Sequence, residues 1–140
     1  MTDFETLLTR ICAVNREKFG PGARTKGVQE HIKKEFDEIN SASGIYGRQE
    51  EWVDVAILGI DGLLRACREV LRDTHPGTVE NIFGEDHQSV FDGEPSNEVV
   101  AKYACRALIE KINKNELRDF GDWRQASPDA PMEHKRGTHD

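Results

Sequence analysis

Basic residues are scarce in this chain. Nineteen Lys and Arg face 26 Asp and Glu, for a net charge of −7. That balance leaves no cationic field for a nucleic-acid backbone or an anionic membrane. Long apolar runs are also missing, and nothing approaches the ~20 residues of a membrane span. The opening MTDFETLLTR puts acids where a secretory signal peptide needs bases. Cysteine is limited to Cys12, Cys67 and Cys105, far apart and without any CxxC. A disulfide framework is thereby excluded, and the three read as reduced core thiols of a cytoplasmic protein. No ExxH occurs either, so the carboxylate–histidine signature of di-iron bundles is absent.

What the chain does have is acid, concentrated. Between Val28 and Asp61 stand eight Asp or Glu against three Lys or Arg. The stretch reads as two helices, VQEHIKKEFDEI and EEWVDVAILGID, joined by the polar loop NSASGIYGRQ. Residues three apart share a helix face, with Cβ atoms about 5–6 Å apart. Glu35 and Glu38 therefore project together, and so do Glu51 and Asp54. An antiparallel pairing of the two helices brings all four carboxylates into one small volume. Like charges raise one another's pKa, so four ionised carboxylates require a counter-charge. A hard divalent cation, Mg²⁺ or Mn²⁺, suits an all-oxygen donor set. Acidic faces are more often simply solvated, but the second pair sits on a helix that is apolar nearly all round. Trp52, Val53, Ile57, Ile60, Leu63, Leu64 and Leu71 spread around it, leaving Glu51, Asp54 and Asp61 in the gap. Unpaired acids are rare in a core.

Periodicity and stop signals predict an all-α fold. About four main helices, over 3–18, 27–42, 49–72 and 96–118, form a bundle with the acidic antiparallel pair at its centre. One domain is expected over 1–125, followed by a polar, mobile tail over 126–140. Phe4, Leu7, Leu8, Ile11 and Val14 are the expected inner face of the first helix, and Val28, Ile32, Phe36 and Ile39 that of the second. His31 precedes Glu35 by one turn; it reads as a surface histidine, with a contact to Glu35 as the minority alternative. Residues 73–95 form a long irregular insertion, suited to a lid, a subunit contact or an inert loop. On the last helix Lys111, Asn115 and Arg118 fall on one face. Two cations and an amide suit a polyanion, although basic residues are common near helix C-termini for dipole reasons.

Glu35-x-x-Glu38, twelve residues, then Glu51-x-x-Asp54 resembles the metal-binding motif of the MazG-like, all-α NTP pyrophosphohydrolases. Lys111-x-x-x-Asn115-x-x-Arg118 is similar to that superfamily's phosphate-contacting motif. The segments FGPGARTKG, EHIKKEFDEI, EWVDVAILGIDG, DWRQASPD and EHKRG look like its dATP/dGTP pyrophosphohydrolase (MazZ-like) branch, found in phages and bacteria. The 73–95 insertion is longer than minimal members of that superfamily carry. The resemblance implies hydrolysis of a purine deoxynucleoside triphosphate, dGTP or dATP, to monophosphate and pyrophosphate. It implies two or more Mg²⁺ (or Mn²⁺) ions held by Glu35, Glu38, Glu51 and Asp54, one of which, with Glu38 preferred, doubles as general base. Lys111, Asn115 and Arg118 are the implied phosphate contacts. Asp61, His31 and Trp52 are candidates for the base or for contacts behind the ligands. Phe19 and Trp123 are further aromatic candidates. The expected assembly is a homo-oligomer, dimeric or tetrameric, and the expected compartment is the cytoplasm, that of the host for a phage protein. The rival reading is a non-catalytic metal-binding helical adaptor, which has no use for Lys111, Asn115 and Arg118.

Overall fold

Each helix begins and ends where local chemistry dictates. The computed structural model describes residues 1–73 and 94–135, and among these it contains four α-helices, one 3₁₀ turn and no strand. Helix α1 spans Asp3–Phe19. Thr2 and Glu5 form a reciprocal cap at its start, with Glu5 N–H donating to Thr2 Oγ1 at 3.1 Å. Gly20, at φ 87°, stops it in a conformation that a side chain would strain. Helix α2 spans Thr25–Ser41 and α3 spans Gly44–Asp73. Helix α4 spans Asn97–Leu117, and its Val99 N–H donates to Ser96 Oγ at 3.2 Å. Helix borders agree with the sequence expectation to within two residues, except the start of α3, which lies five residues earlier. The polar stretch read as a loop is mostly helix, because Ile45 to Gln49 continue the turn and only Ala42 and Ser43 link α2 to α3. The helix carries Gly47 there, at a cost of about 1 kcal/mol relative to Ala.

The chain groups into two compact units, Met1–Cys105 and Arg106–Asp140. In the first unit the core joins Leu8 and Cys12 of α1 with Leu64, Cys67 and Leu71 of α3 and Val99, Val100, Ala101 and Ala104 of α4. Helix α2 lies outside this cluster, packed along α3. Val28 meets Gly62, while Glu35 and Glu38 meet Glu51. Early α2 thus faces late α3, which makes the pair antiparallel.

Two expected faces differ from the structure. On α1, Phe4, Leu7 and Val14 are exposed, and the buried line is Leu8, Cys12 and Asn15. On α2, Phe36 is exposed while its neighbour Glu35 is buried. In both cases a polar side chain, Asn15 or Glu35, takes an inner position that periodicity assigns to an apolar one. Tying the core together are two buried arginines. Arg68 donates to Asn97 Oδ1 at 2.6 Å and also to the Pro95 carbonyl, fixing the start of α4. Arg65 holds the α1–α2 turn. The second unit contains the 3₁₀ turn Trp123–Gln125, with Asp122 accepting from Arg124 N–H at 2.9 Å. In the same unit Lys135 Nζ lies 3.3 Å from Asp119 Oδ2. The insertion expected over 73–95 lies outside the described residues except at its two ends. Among the described residues no helix is long and apolar enough to cross a membrane.

Candidate metal centre

Glu35 is the anchor of the site. It points inward from α2 at 6 % exposure, next to a Phe that faces solvent. Burying a carboxylate in preference to a phenyl ring is costly unless that carboxylate has a task. Glu38, one turn on, and Glu51, from the facing helix, complete a group whose carboxylate oxygens all lie within 4.8 Å of one another. Both of these are half-buried. The antiparallel α2–α3 pairing creates this convergence, and it follows directly from the two-residue link.

Asp54, the fourth expected ligand, is exposed and falls outside that closest group. Its charge still acts on the site, raising the pKa values of both Glu35 and Glu51. The three clustered carboxyls share protons unequally. Glu35 is raised, first by its hydrogen bond to Glu38 and then by burial. Glu51 is pushed up to about 7, first by burial and then by Glu38. Glu38 is lowered, chiefly because it accepts from Glu35. Glu38 is therefore the most acidic of the three. Glu35 Oε2 and Glu51 Oε2 are buried with no donor apart from a proton shared with a neighbouring carboxyl. Orphaned buried oxygens on an all-carboxylate donor set fit a hard divalent cation.

Beside the cluster lies a cavity of about 230 Å³, lined by Asn15, Phe19, His31, Glu35, Asp54, Ile57 and Leu58. Two candidate ligands thus sit in its wall. His31 Nε2 lies 3.4 Å from Glu35 Oε1, so this histidine does contact Glu35 rather than standing alone on the surface. Its ring meets Phe19 edge-on, centroids 5.8 Å apart. The Arg24 guanidinium covers Phe19 at 5.6 Å.

No family model, curated protein or solved structure matches the chain. The site must therefore be read from its own geometry.

Other candidates fare differently. Trp52 is 56 % exposed and does not line the cavity. Trp123 is exposed in the second unit, with Arg124 stacked at 4.9 Å. Asp61 is buried as expected, but it is neutralised: Arg65 Nε donates to its Oδ1 at 3.0 Å. It belongs to an ion pair, not to the acidic cluster, because a cation four residues along the same helix reaches it first. In the second unit Arg118 Nη1 donates to Asn115 Oδ1 at 3.1 Å, so those two side chains share a face as their spacing predicts. Lys111 is exposed.

Sequence reasoning missed Asn15, Arg65 and Arg68. The signal for Arg65 was present in the Asp61-x-x-x-Arg65 spacing, a standard same-face ion pair. Asn15 carried one too, since it stands three and seven residues beyond Cys12 and Leu8 on the buried line of α1.

Proposed function

We propose that this chain is a metal-dependent nucleoside triphosphate pyrophosphohydrolase acting on purine deoxynucleoside triphosphates, dGTP or dATP. The observation that carries the reading is the trio Glu35, Glu38 and Glu51, brought together from two facing helices, with buried, donorless oxygens on Glu35 and Glu51 and a cavity that Glu35 lines. Glu35, Glu38 and Glu51 would hold Mg²⁺ or Mn²⁺, with Asp54 contributing charge from the rim. A bound divalent cation there supplies neutralisation of phosphate oxygens and a lowered pKa for water.

The protein's own groups account for the rest. Attack by water at the α phosphorus forms a P–O bond and breaks the bridging bond to the β phosphate, releasing pyrophosphate. The proton lost by that water needs an acceptor, and we assign that role to Glu38, whose pKa is lowered by its hydrogen bond from Glu35. Lys111, Asn115 and Arg118 are assigned to the substrate phosphates on the strength of their motif. Their cations would offset charge developing on the leaving pyrophosphate. The assembly we propose is a homo-oligomer, consistent with exposed Phe4, Leu7, Val14, Trp52 and Val53 in the first unit.

The deciding experiment mixes purified protein with Mg²⁺ or Mn²⁺ and a panel of nucleoside triphosphates. Pyrophosphate and a monophosphate are the expected products. Orthophosphate with a diphosphate would mean attack at the γ phosphorus and would remove this reading. Metal binding without any turnover would favour the adaptor.

A further inference from the structure

Helix α2 stands in a rotation that its own sequence disfavours. At about 100° per residue, its apolar stripe runs over about 80° from Val28 to Phe36, with Ile39 and Ile32 between them. Glu35 lies about 20° beyond the Val28 edge of that stripe, and Phe36 forms the opposite edge. The buried pair is Val28 and Glu35. The inward direction is therefore displaced from the centre of the stripe by about 45°, toward the carboxylates. Phe36 is left 46 % exposed while the carboxylate beside it is buried. Turning α2 back would bury a phenyl ring and return a carboxylate to water, two gains at once.

The packing has room for that turn. Val28 rests where Gly62 carries no side chain. On the flank of α2 that bears Phe36, an apolar cavity of about 270 Å³ lies against α3, with Thr25, Gln29, Ile32, Leu58 and Gly62 in its wall.

The constraint that opposes it lies at the start of the helix. Arg65, buried on α3, donates from Nη1 to the carbonyls of Gly20 and Gly22, at 2.8 and 2.9 Å. Its Nη2 donates to the Asn15 carbonyl at 3.3 Å. Both glycines have positive φ, 87° and 94°, which lets two carbonyls so close in sequence converge on one nitrogen. Asp61 accepts from Nε at 3.0 Å and holds the guanidinium in place. Hydrogen bonds from a charged donor are the strong ones. Two residues past Gly22, the Arg24 carbonyl accepts from Val28 N–H at 2.9 Å and opens α2. The end of α1, the turn and the first turn of α2 are thus fastened to one side chain of α3. In a hydrogen-bonded helix, fixing the first turn fixes the direction of every later side chain. At the far end only Ala42 and Ser43 separate α2 from α3.

We propose that Arg65 is the positioning residue of the metal centre: by clasping the α1–α2 turn it holds α2 in the rotation that keeps Glu35 inside, facing Glu51, and Phe36 outside. The rotation stands on the packing, and its consequence for a cation rests on the metal reading above.

The test pairs Arg65 with Phe36, which belongs to neither the clasp nor the trio. Mn²⁺ is titrated into the full chain at a temperature where the variants are folded, and free ion is read by electron paramagnetic resonance. Arg65→Met should weaken Mn²⁺ binding about tenfold or more, the usual effect of losing a group behind the ligands. Phe36→Gln alone should change little. Added to Arg65→Met, it should restore most of the affinity, because it removes the gain that drives the turn. A residue that only stabilised the fold would show no such rescue. If Arg65→Met does not fold, Arg65→Met with Asp61→Asn takes its place, since it loses the clasp without leaving a buried charge. The rotation itself is read without metal, by fluorine NMR of the chain labelled with 4-fluorophenylalanine. The Phe36 signal is the one missing in Phe36→Leu. Its shift between H₂O and D₂O, the mark of an exposed ring, should be present in wild type and lost in the Arg65 variants. A Phe36 that stays exposed in those variants, or an affinity loss that Phe36→Gln does not relieve, overturns the inference. Wild type that binds no Mn²⁺ removes the metal reading, and the fluorine result then decides the rotation.

Discussion

Helix α3 carries two acidic sites only a few turns apart, and the protein treats them in opposite ways. At Asp61 the charge is closed off, with Arg65 four residues along and both side chains under 5 % exposed. At Glu51 no cation is supplied, and two more carboxylates are brought in from α2. The first site is given its counter-charge by the chain itself, although Asp61 Oδ2 is left without a donor. The second is left with a raised Glu35, a Glu51 pushed up to about 7 and oxygens without donors. The helix is the same and the side-chain chemistry is the same, yet the electrostatic outcome is opposite. The carboxylate at Asp61 is given its arginine, and the Glu35, Glu38 and Glu51 trio is not.

The largest effect should come from opening the closed site. Arg65→Met leaves Asp61 as an uncompensated buried charge and frees the carbonyls of Asn15, Gly20 and Gly22. Breaking a buried pair from one side costs about 3–5 kcal/mol, to be read as a lower urea midpoint. Asp61→Asn combined with Arg65→Met should recover part of that loss. A single variant as stable as wild type would mean that the pair is not what closes this site.

One half of this contrast is legible in the sequence and the other is not. Four helices, their order and the antiparallel acidic pair follow from 3.6-residue periodicity and from breakers such as Gly20 and Pro21. The Glu35, Glu38, Glu51 convergence follows from spacing plus a short link. Asp61 is paired with Arg65, which periodicity does not foretell, because it places a side chain on a face without saying which neighbour on that face claims it. Trp52 is exposed, which the apolar pattern of α3 does not foretell either. Asn15 falls on the buried line of α1, but that its amide lacks a partner is a tertiary fact. Nothing in the spacing of Lys111, Asn115 and Arg118 fixes what they touch beyond one another.

Closing the open site should cost function instead of stability. Glu35→Gln removes the buried member of the trio, so Mg²⁺ should cease to raise the melting temperature. Wild type at a metal concentration of about one hundred times Kd gains about 2.7 kcal/mol by mass action. Turnover should fall at least a hundredfold, about 2.7 kcal/mol in activation free energy. Without metal the variant should melt no lower than wild type. Asp54→Asn, at the rim, should lose both metal affinity and turnover, but with less effect on the metal-free melt. A metal response that survives Glu35→Gln would place the ion elsewhere.

A smaller and separable effect is expected in the second unit. Lys111→Ala or Arg118→Ala leaves the carboxylates untouched, so the Mg²⁺-dependent rise in melting temperature should persist. Triphosphate turnover should drop by about a hundredfold or less, corresponding to one lost contact to a charged phosphate of about 3 kcal/mol. If either change abolished the metal response, the division of labour between acidic and basic residues would be wrong.

The smallest effect is the most diagnostic of an open acidic site, and its sign can be worked out. Glu51 has an ordinary carboxylate value of 4.5 when unfolded and about 7 when folded. Between these values the native state holds a proton that the unfolded chain has released. Stability then falls as pH rises, because the slope follows the protons bound unfolded minus those bound folded. The contribution is fully present below about 4.5 and lost as pH climbs through 7. Glu35 is raised and acts in the same direction. Glu94 is lowered by its hydrogen bonds from Arg72, and Glu38 by its hydrogen bond from Glu35, so their stability is present above 4.5 and lost only in more acid solution. Across about pH 5 to 8 the raised pair dominates, and the metal-free melting temperature should decline. Saturating Mg²⁺ replaces the shared protons, so it should flatten the decline while its own affinity increases with pH. Glu51→Gln should flatten the metal-free curve by itself. A metal-free melting temperature that rises over this range, or a slope unchanged in Glu51→Gln, would show that the trio holds no extra proton and that its acidity is only that of a solvated face.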